Sequence, residues 1–227
     1  MSIFTGPTNK KFKVPFAMTR LKRPEIFIII AYLAFCFWYT NTSGPLTNTE
    51  IDAYLAKLTQ REAANQNIPI IEDFMRRDTG NQFVMVNLID LNPTPPDLPA
   101  TGPNADPMAL VDHYMAHMYP TMFRRASHPI YLAPVQAGAI DLLNLPGASN
   151  WTQTALMRYR SRRDLMDIVT DPRFSERHDY KLGAMLKTIA VPTEPSFNPA
   201  DPRLLLGLVA IIFLLLFRRG LRPQRAP

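Results

Sequence analysis

Thr152–Val169 reads TQTALMRYRSRRDLMDIV, and this stretch places a strand directly before a helix. Residues 152–160 have the composition of a half-buried strand. Ser161 is a favourable N-cap for the helix after it, and Asp164 occupies the N3 position of the same turn. The segment therefore predicts a strand over 152–160 and a helix that ends near Val169.

The flanking sequence extends this unit into a larger repeating pattern. Gln82–Leu91 is a dense apolar run that predicts a buried strand. Met108–Arg125 has apolar residues at helical spacing, Pro129–Ala137 alternates weakly, and Ala184–Val191 predicts a last strand. The order β-α-β-β-α-β is the ferredoxin-like split pattern. We therefore predict an α+β fold, a four-stranded antiparallel sheet with both helices on one face.

The strands are apolar on both faces, as the run Phe83-Val84-Met85-Val86 illustrates. Helices cover only one face of such a sheet. An uncovered apolar face of that size calls for a partner. The sequence therefore predicts a homodimer that pairs sheet face to sheet face, or closure of the barrel by another protein.

Four segments of this region together resemble an uncharacterised family of the dimeric α/β-barrel superfamily. They are TGNQFVMVNLIDL, DHYMAHMYPTMFRRASHPIYLAP, WTQTALMRYRSRRDLMDIVTDPRF and HDYKLGAMLKTIAVP, within about residues 78–192. The superfamily contains antibiotic-biosynthesis monooxygenases, haem-degrading monooxygenases and stress-responsive A/B-barrel proteins. The resemblance implies a ferredoxin-like subunit that forms a dimeric α/β barrel. It implies no activity, since this branch has no agreed catalytic residues.

Two apolar runs flank the predicted barrel domain, at Ile26–Tyr39 and Leu204–Phe217. Each is shorter than the ~20 residues that cross a bilayer, but flanking residues can lengthen both helices. We predict transmembrane helices over 24–41 and 202–218. Buried core helices are the alternative for both, and a cleaved signal peptide is a further alternative for the first. The TNTSGP that comes after it is a poor cleavage site.

The charge distribution predicts how the two transmembrane helices are oriented in the membrane. The net charge is +6 and the pI about 9.6. Residues 1–23 hold six basic side chains and residues 218–227 hold four, without an acid, whereas 24–217 holds 15 basic against 19 acidic residues. The positive-inside rule places the basic segments 1–23 and 219–227 in the cytoplasm and the centre in the periplasm of a bacterial inner membrane. An acidic centre disfavours nucleic acid as a partner.

The remaining segments complete the predicted domain organisation. Residues 42–78 form a helical lead-in, in which Thr47 and Glu50 make a capping box for an amphipathic helix over 47–66. The barrel domain covers 79–192 and includes a proline-rich loop, 92–107, whose length favours a contact or functional role. A second proline-rich stretch, 193–201, tethers the domain to the last helix.

Five residues are candidates for contacts in a barrel cavity, and each has a structural alternative: Asn87, Tyr114, His128, Arg158 and Tyr159. A neighbouring strand can satisfy the amide of Asn87 as well as a ligand can. His128 begins a strand, where it can also bond to backbone. Arg158 belongs to a cluster with Arg160, Arg162 and Arg163. A structural ion-pair network with nearby aspartates is the favoured interpretation, and an anion site the alternative.

His113 and His117 lie one helical turn apart and are weak candidates for a metal site, because no third ligand is evident. The sequence has no phosphate-binding loop, nucleophile elbow, dinucleotide glycine pattern or CxxC motif, and Cys36 is its single cysteine. We therefore predict no metal and no cofactor.

These observations favour a membrane-anchored accessory subunit that docks to itself and to a larger respiratory or photosynthetic complex, without catalysis. A membrane-tethered monooxygenase or a haem- or quinone-handling enzyme is the first alternative. A lipid or small-ligand binding module is the second.

Overall fold

The computed structural model describes residues 22–60 and 67–220. Its helices and strands follow one another along the chain as α1 (Arg23–Tyr39), α2 (Asn48–Thr59), α3 (Ile68–Arg76), β1 (Phe83–Leu91), α4 (Pro107–Arg124), β2 (His128–Pro134), β3 (Gln153–Tyr159), α5 (Arg162–Val169), α6 (Pro172–Ser175), α7 (His178–Gly183), β4 (Met185–Thr193) and α8 (Pro202–Gly220). The predicted basic segments, apart from residues 22–23 and 219–220, lie outside the described residues.

The four strands form one antiparallel sheet in the order β2-β3-β1-β4. Together with the helices that follow β1 and β3, this order is that of a ferredoxin-like fold, so the predicted α+β class is confirmed. In the sheet Phe83 lies opposite Tyr159, and Asn87 lies between Ala155 and Ala190. Odd-numbered residues of β1 and β3 therefore share one face of the sheet, and even-numbered residues share the other.

The odd-numbered face packs against α4, α5 and the short helices. Leu110 and Met122 of α4 are completely buried there, against Phe83 and Tyr159 of the sheet. Local signals start α4 and α5: Asp106 accepts a bond from the Met108 backbone N–H at 2.7 Å, and Ser161 Oγ accepts one from the Asp164 backbone N–H at 3.0 Å. The cap at Ser161 is the one that the sequence indicates.

Among the described residues, no layer of helices covers most of the even-numbered face. Val86, Leu88 and Leu156 are half-buried, while Ile189 and Val191 on the edge strand β4 are exposed. An apolar sheet face therefore remains open at the side opposite to the core.

A second apolar cluster joins α2 and α3 to α5. Ile51 and Leu58 of α2 pack with Met75 and Met166. The capping box of Thr47 and Glu50 forms as the sequence predicts, and the helix ends at Thr59. Residues 61–66, the rest of the predicted helix, lie outside the described residues.

Helices α1 and α8 pack side by side in opposite directions. At the end near the sheet, the Tyr32 hydroxyl donates to the Arg203 backbone oxygen at 3.0 Å. At the far end, Arg218 and Glu25 form an ion pair at 3.0 Å. Gly207 permits this close approach, because a Cβ there would lie 2.9 Å from the Tyr32 oxygen.

Neither of these helices meets the requirements of the transmembrane prediction. Within residues 22–60 and 67–220, no helix combines the length and the apolar character needed to cross a membrane. The transmembrane helices over 24–41 and 202–218 are therefore not supported. Helix α1 has 17 residues, which corresponds to about 25 Å. Helix α8 has 19 residues, but Arg203, Arg218 and Arg219 lie within it.

Candidate functional site

The five predicted cavity residues lie on two opposite faces of the sheet. Asn87, Tyr114 and Tyr159 line a cleft on the helix-covered face. His128 and Arg158 lie opposite each other across β2 and β3 and belong to the other face. The structure therefore does not bring these residues together in one cavity, but forms two separate arrangements.

The first arrangement is centred on Arg158, which is 3% exposed. Its Nη2 donates to the backbone oxygen of Tyr39 at 2.8 Å and to Gln82 Oε1 at 2.6 Å, and Nη1 donates to the backbone oxygen of Ala126. The guanidinium also lies over the Tyr39 ring, 3.5 Å from its centroid. Arg158 thus joins the end of α1 to β1 and to the turn before β2.

A second arginine completes this junction from the side of α8. Arg203 donates to Gln82 Oε1 at 3.0 Å, to Thr40 Oγ1 at 3.1 Å and to Asp201 at 2.6 Å. The Gln82 oxygen therefore accepts from two guanidinium groups. Arg203 thus connects α8 to Gln82, directly before β1, and Arg158 connects α1 to the same residue.

His128 supports the same contact through the hydroxyl of Tyr39. Its Nδ1 is 2.9 Å from the Pro129 carbonyl oxygen, which can only accept, so Nδ1 carries the hydrogen. Nε2 then accepts from the Tyr39 hydroxyl at 2.7 Å. Both ring nitrogens are engaged, so His128 has a positioning role in this arrangement rather than that of a free base.

Within residues 22–60 and 67–220, no carboxylate contacts Arg158 directly. Burial lowers its pKa to about 10, so the side chain remains a cation at neutral pH. Carbonyl and amide oxygens satisfy it instead. A polar hollow of about 240 Å³ adjoins it, but each nitrogen of Arg158 and Arg203 already has an acceptor. The site therefore has the properties of a structural junction and not of an anion site.

The other arginines of the predicted cluster are paired with carboxylates. Arg160 bonds to Asp164 at 2.8 Å and Arg163 to Glu50 at 2.7 Å, and Arg162 lies 3.5 Å from Asp78. Hydrogen bonds from Arg163 hold the pKa of Glu50 down at about 2. These contacts form the ion-pair network that the sequence indicates.

The second arrangement is a cleft of about 870 Å³ between the sheet and the surrounding helices. Asn87 lines it, and its amide nitrogen donates to the backbone oxygens of Met85 and Ala155 at 3.1 and 2.9 Å. Tyr114 and Tyr159 face the same space and are buried. Burial raises the pKa of Tyr159 to about 12 and that of Tyr114 further, so both hydroxyls retain their hydrogen at neutral pH.

The two helix histidines do not meet at a site. The ring of His113 lies 4.2 Å from that of Tyr180, and Arg177 donates to the His113 backbone oxygen. In the part of the chain that the structure describes, no group of three or more His, Cys, Asp or Glu residues could hold a metal ion.

Several residues of both arrangements could not be found from the sequence. Tyr39, Gln82 and Arg203 become partners of Arg158 only through contacts between distant segments. His178 and Lys181 of α7 also line the cleft. The sequence offered one usable signal, because a buried arginine needs hydrogen-bond acceptors. Gln82 is a suitable acceptor, since it directly precedes β1, the strand next to that of Arg158.

Comparison with known proteins gives no family assignment. No family profile matches the chain, and no curated protein matches it. A solved protein of unknown function from Rhodopseudomonas palustris is 16% identical, with 59% of this chain and 97% of that chain covered and a TM-score of 0.49.

Two further solved structures have lower TM-scores. A dimeric protein of unknown function with a ferredoxin-like fold, from Bacteroides fragilis, is 11% identical (50% and 96% covered, TM-score 0.29). A candidate antibiotic biosynthesis monooxygenase from Bacteroides thetaiotaomicron is 16% identical (53% and 95% covered, TM-score 0.30). At these sequence identities and TM-scores, no activity and no partner of these proteins can be assigned to this chain.

We predict that Arg158→Lys destabilises the protein by ~2–4 kcal/mol, because an ammonium group cannot serve the spread acceptors at Tyr39, Ala126 and Gln82 together. Denaturant unfolding in mild detergent measures the change. Arg173→Lys is the matched control at a side chain that is 67% exposed, and its effect should stay below ~0.5 kcal/mol. Equal effects of the two substitutions would contradict the assigned role of Arg158.

Proposed function

We propose that the chain is a membrane-held, non-catalytic accessory subunit that pairs with a second copy and docks to a larger respiratory or photosynthetic complex. The observation that supports this proposal best is the apolar surface of the α1–α8 pair. The pair is joined firmly to the ferredoxin-like domain through Arg158 and Arg203, so whatever holds the helices also holds the domain.

The outer surface of the helix pair is apolar on all sides. Phe27 and Phe37 of α1 are each 71% exposed. Further large apolar side chains are exposed along both helices: Ile26, Ile30, Leu33, Trp38, Leu204, Leu205, Leu206, Leu208, Val209, Ile211, Ile212, Phe213, Leu215, Leu216 and Phe217. A helix without a polar side is stable only inside a protein or in lipid. A surface of this extent therefore favours insertion into a bilayer.

The limited length of the helices is compatible with insertion into lipid. A bilayer adapts to a short apolar segment by thinning, and flanking basic side chains reach toward the headgroups. Lys22, Arg23 and Arg218 lie at the end of the pair far from the sheet. In this proposal the far end faces the cytoplasm of a bacterial inner membrane and the domain lies on the periplasmic side.

The open face of the sheet supports pairing with a second copy. It presents the apolar residues Val86, Leu88, Leu156, Ile189 and Val191. The ion pair of Asp90 and Lys187 lies next to them on the same face. Two such faces are self-complementary, as a two-fold dimer requires. Pairing would bury this apolar area without any change in the helix-covered face.

The enzyme alternative requires the candidate residues to lie together in one cavity, and they lie on two opposite faces of the sheet. His128 and Arg158 are engaged at the junction, on the opposite side of the sheet from the cleft. The monooxygenase and the haem- or quinone-handling functions therefore rest on the cleft alone.

We predict that the full chain floats with vesicles of phosphatidylethanolamine and phosphatidylglycerol in a density gradient and stays bound in alkaline carbonate. Aspartate at Ile30 and Leu208 should abolish flotation, because a carboxylate on the lipid-facing surface is costly. The matched control places aspartate at Ile140 and Leu143, exposed apolar residues outside the helices. A full chain that remains at the bottom of the gradient would contradict the membrane proposal.

We predict that membranes solubilised in a mild detergent yield two copies of the chain in a larger native band, with other membrane proteins identified by mass spectrometry. Val191→Arg should reduce the copy number to one, because it places a charge in the proposed interface, whereas Leu143→Arg should not. A lone dimer would contradict docking to a complex, and a monomeric wild type would contradict the pairing.

A further inference from the structure

The cleft on the helix-covered face contains polar groups that the chain itself does not use. They are the Tyr114 and Tyr159 hydroxyls, Nδ1 of His178, the ammonium of Lys181 and Oδ1 of Asn87. None of these atoms has a hydrogen-bond partner among residues 22–60 and 67–220. Buried polar groups are normally satisfied. In this group Nδ1 of His178 is completely shielded from solvent, while solvent in the cleft reaches the other four atoms, so a ligand there can bond to them.

Lys181 is the most informative member of this group. It is half-buried, and burial lowers the pKa of its ammonium group. In the described part of the chain it forms no ion pair. Lys187, which also lines the cleft, differs in this respect, because its ammonium donates to the Gly147 oxygen and lies 3.8 Å from Asp90. A partly desolvated cation without a counter-ion favours an anionic ligand.

His178 lies one helical turn before Lys181 on α7. Its Nδ1 is completely shielded from solvent and has no partner among the described residues. Burial and the charge of Lys181 both lower the pKa of His178, so the ring is neutral at neutral pH. The site therefore offers one positive charge, that of Lys181. The nearest acidic side chain along α7 is that of Asp179, which is exposed and also lines the cleft.

The hydroxyls of Tyr114 and Tyr159, which also line the cleft, add hydrogen-bond donors. Both retain their hydrogen because burial raises their pKa values. The amide nitrogen of Asn87 is already used within the sheet, which leaves its oxygen directed to other partners. The polar groups of the cleft are thus mainly donors, and the matching ligand group is an oxygen acceptor.

The rest of the lining is apolar and adaptable. Met85, Met118, Met166 and Met185 contribute flexible thioether side chains, and Phe174 contributes an aromatic edge. A volume of about 870 Å³ lies in the range of small-molecule sites. This lining accepts a hydrocarbon or aromatic body.

We propose that this cleft binds a small apolar molecule that carries one carboxylate, with the carboxylate at Lys181 and the tyrosine hydroxyls and the apolar body against the methionines. A carboxylate fits better than a phosphate, because the site supplies one cation and a phosphate carries up to two charges. This site is independent of the proposed membrane role, since it lies on the other side of the sheet from Arg158 and the open face.

The test is calorimetric titration of the full chain, reconstituted in nanodiscs, with phenylbutyrate and with the neutral phenylbutanol. Empty nanodiscs provide the baseline for partition into lipid. We expect the wild type to bind phenylbutyrate more tightly than phenylbutanol. Lys181→Met should weaken phenylbutyrate binding about 10–100-fold, because a charge-assisted bond is lost, and leave phenylbutanol binding unchanged.

A stability measurement distinguishes this result from misfolding. Lys181→Met removes an unpaired, desolvated charge, so its melting temperature should rise or stay equal while phenylbutyrate binding falls. Arg77→Met, at a side chain that is 77% exposed, is the control for lost charge and should bind as the wild type does. No binding of phenylbutyrate to the wild type, or equal binding by Lys181→Met, would overturn the proposal.

Discussion

The guanidinium of Arg158 is the contact on which the arrangement of this protein depends. It is buried and has no carboxylate in contact in the described part of the chain. Oxygens from α1, from the turn before β2 and from Gln82 satisfy it. Removing such a group leaves the backbone oxygens of Tyr39 and Ala126 without this donor, and Gln82 keeps only Arg203. Because Arg203 binds the same glutamine oxygen, the position of the helix pair relative to the sheet is fixed by one small polar cluster.

The two faces of the sheet consequently serve different purposes. The even-numbered face holds the junction at one end and an open apolar area over the rest, where we propose that a second copy binds. The odd-numbered face holds the core and the cleft with Lys181 and His178. A protein that docks through one face and receives a small ligand on the other can do both without competition, since the two faces present different side chains.

The local elements were predictable because their signals are local. Ser161 and Asp106 cap the helices that the sequence indicates, and apolar runs mark β1 and β3. The grouping of site residues was not predictable in the same way. Arg158 and Tyr159 are neighbours, so strand alternation alone directs them to opposite faces, and the expectation of a single cavity overlooked this. Two partners of Arg158, Tyr39 and Gln82, come from segments more than 70 residues away in the chain, and the third, Ala126, is 32 residues away. For α1, apolar composition indicated the position of the helix but not a length sufficient to cross a bilayer.

The depth of Trp38 in a bilayer is the most direct test of the membrane proposal, because its neighbour Tyr39 is the residue that Arg158 binds. In a Trp151→Phe variant, Trp38 is the sole tryptophan, and its fluorescence can be quenched by lipids brominated at different depths. We expect strong quenching by bromine close to the headgroups and weaker quenching at the bilayer centre, since this end of α1 lies at the interface in the proposed arrangement. Fluorescence that no brominated lipid quenches would contradict the proposal that the helix pair holds the domain at a membrane.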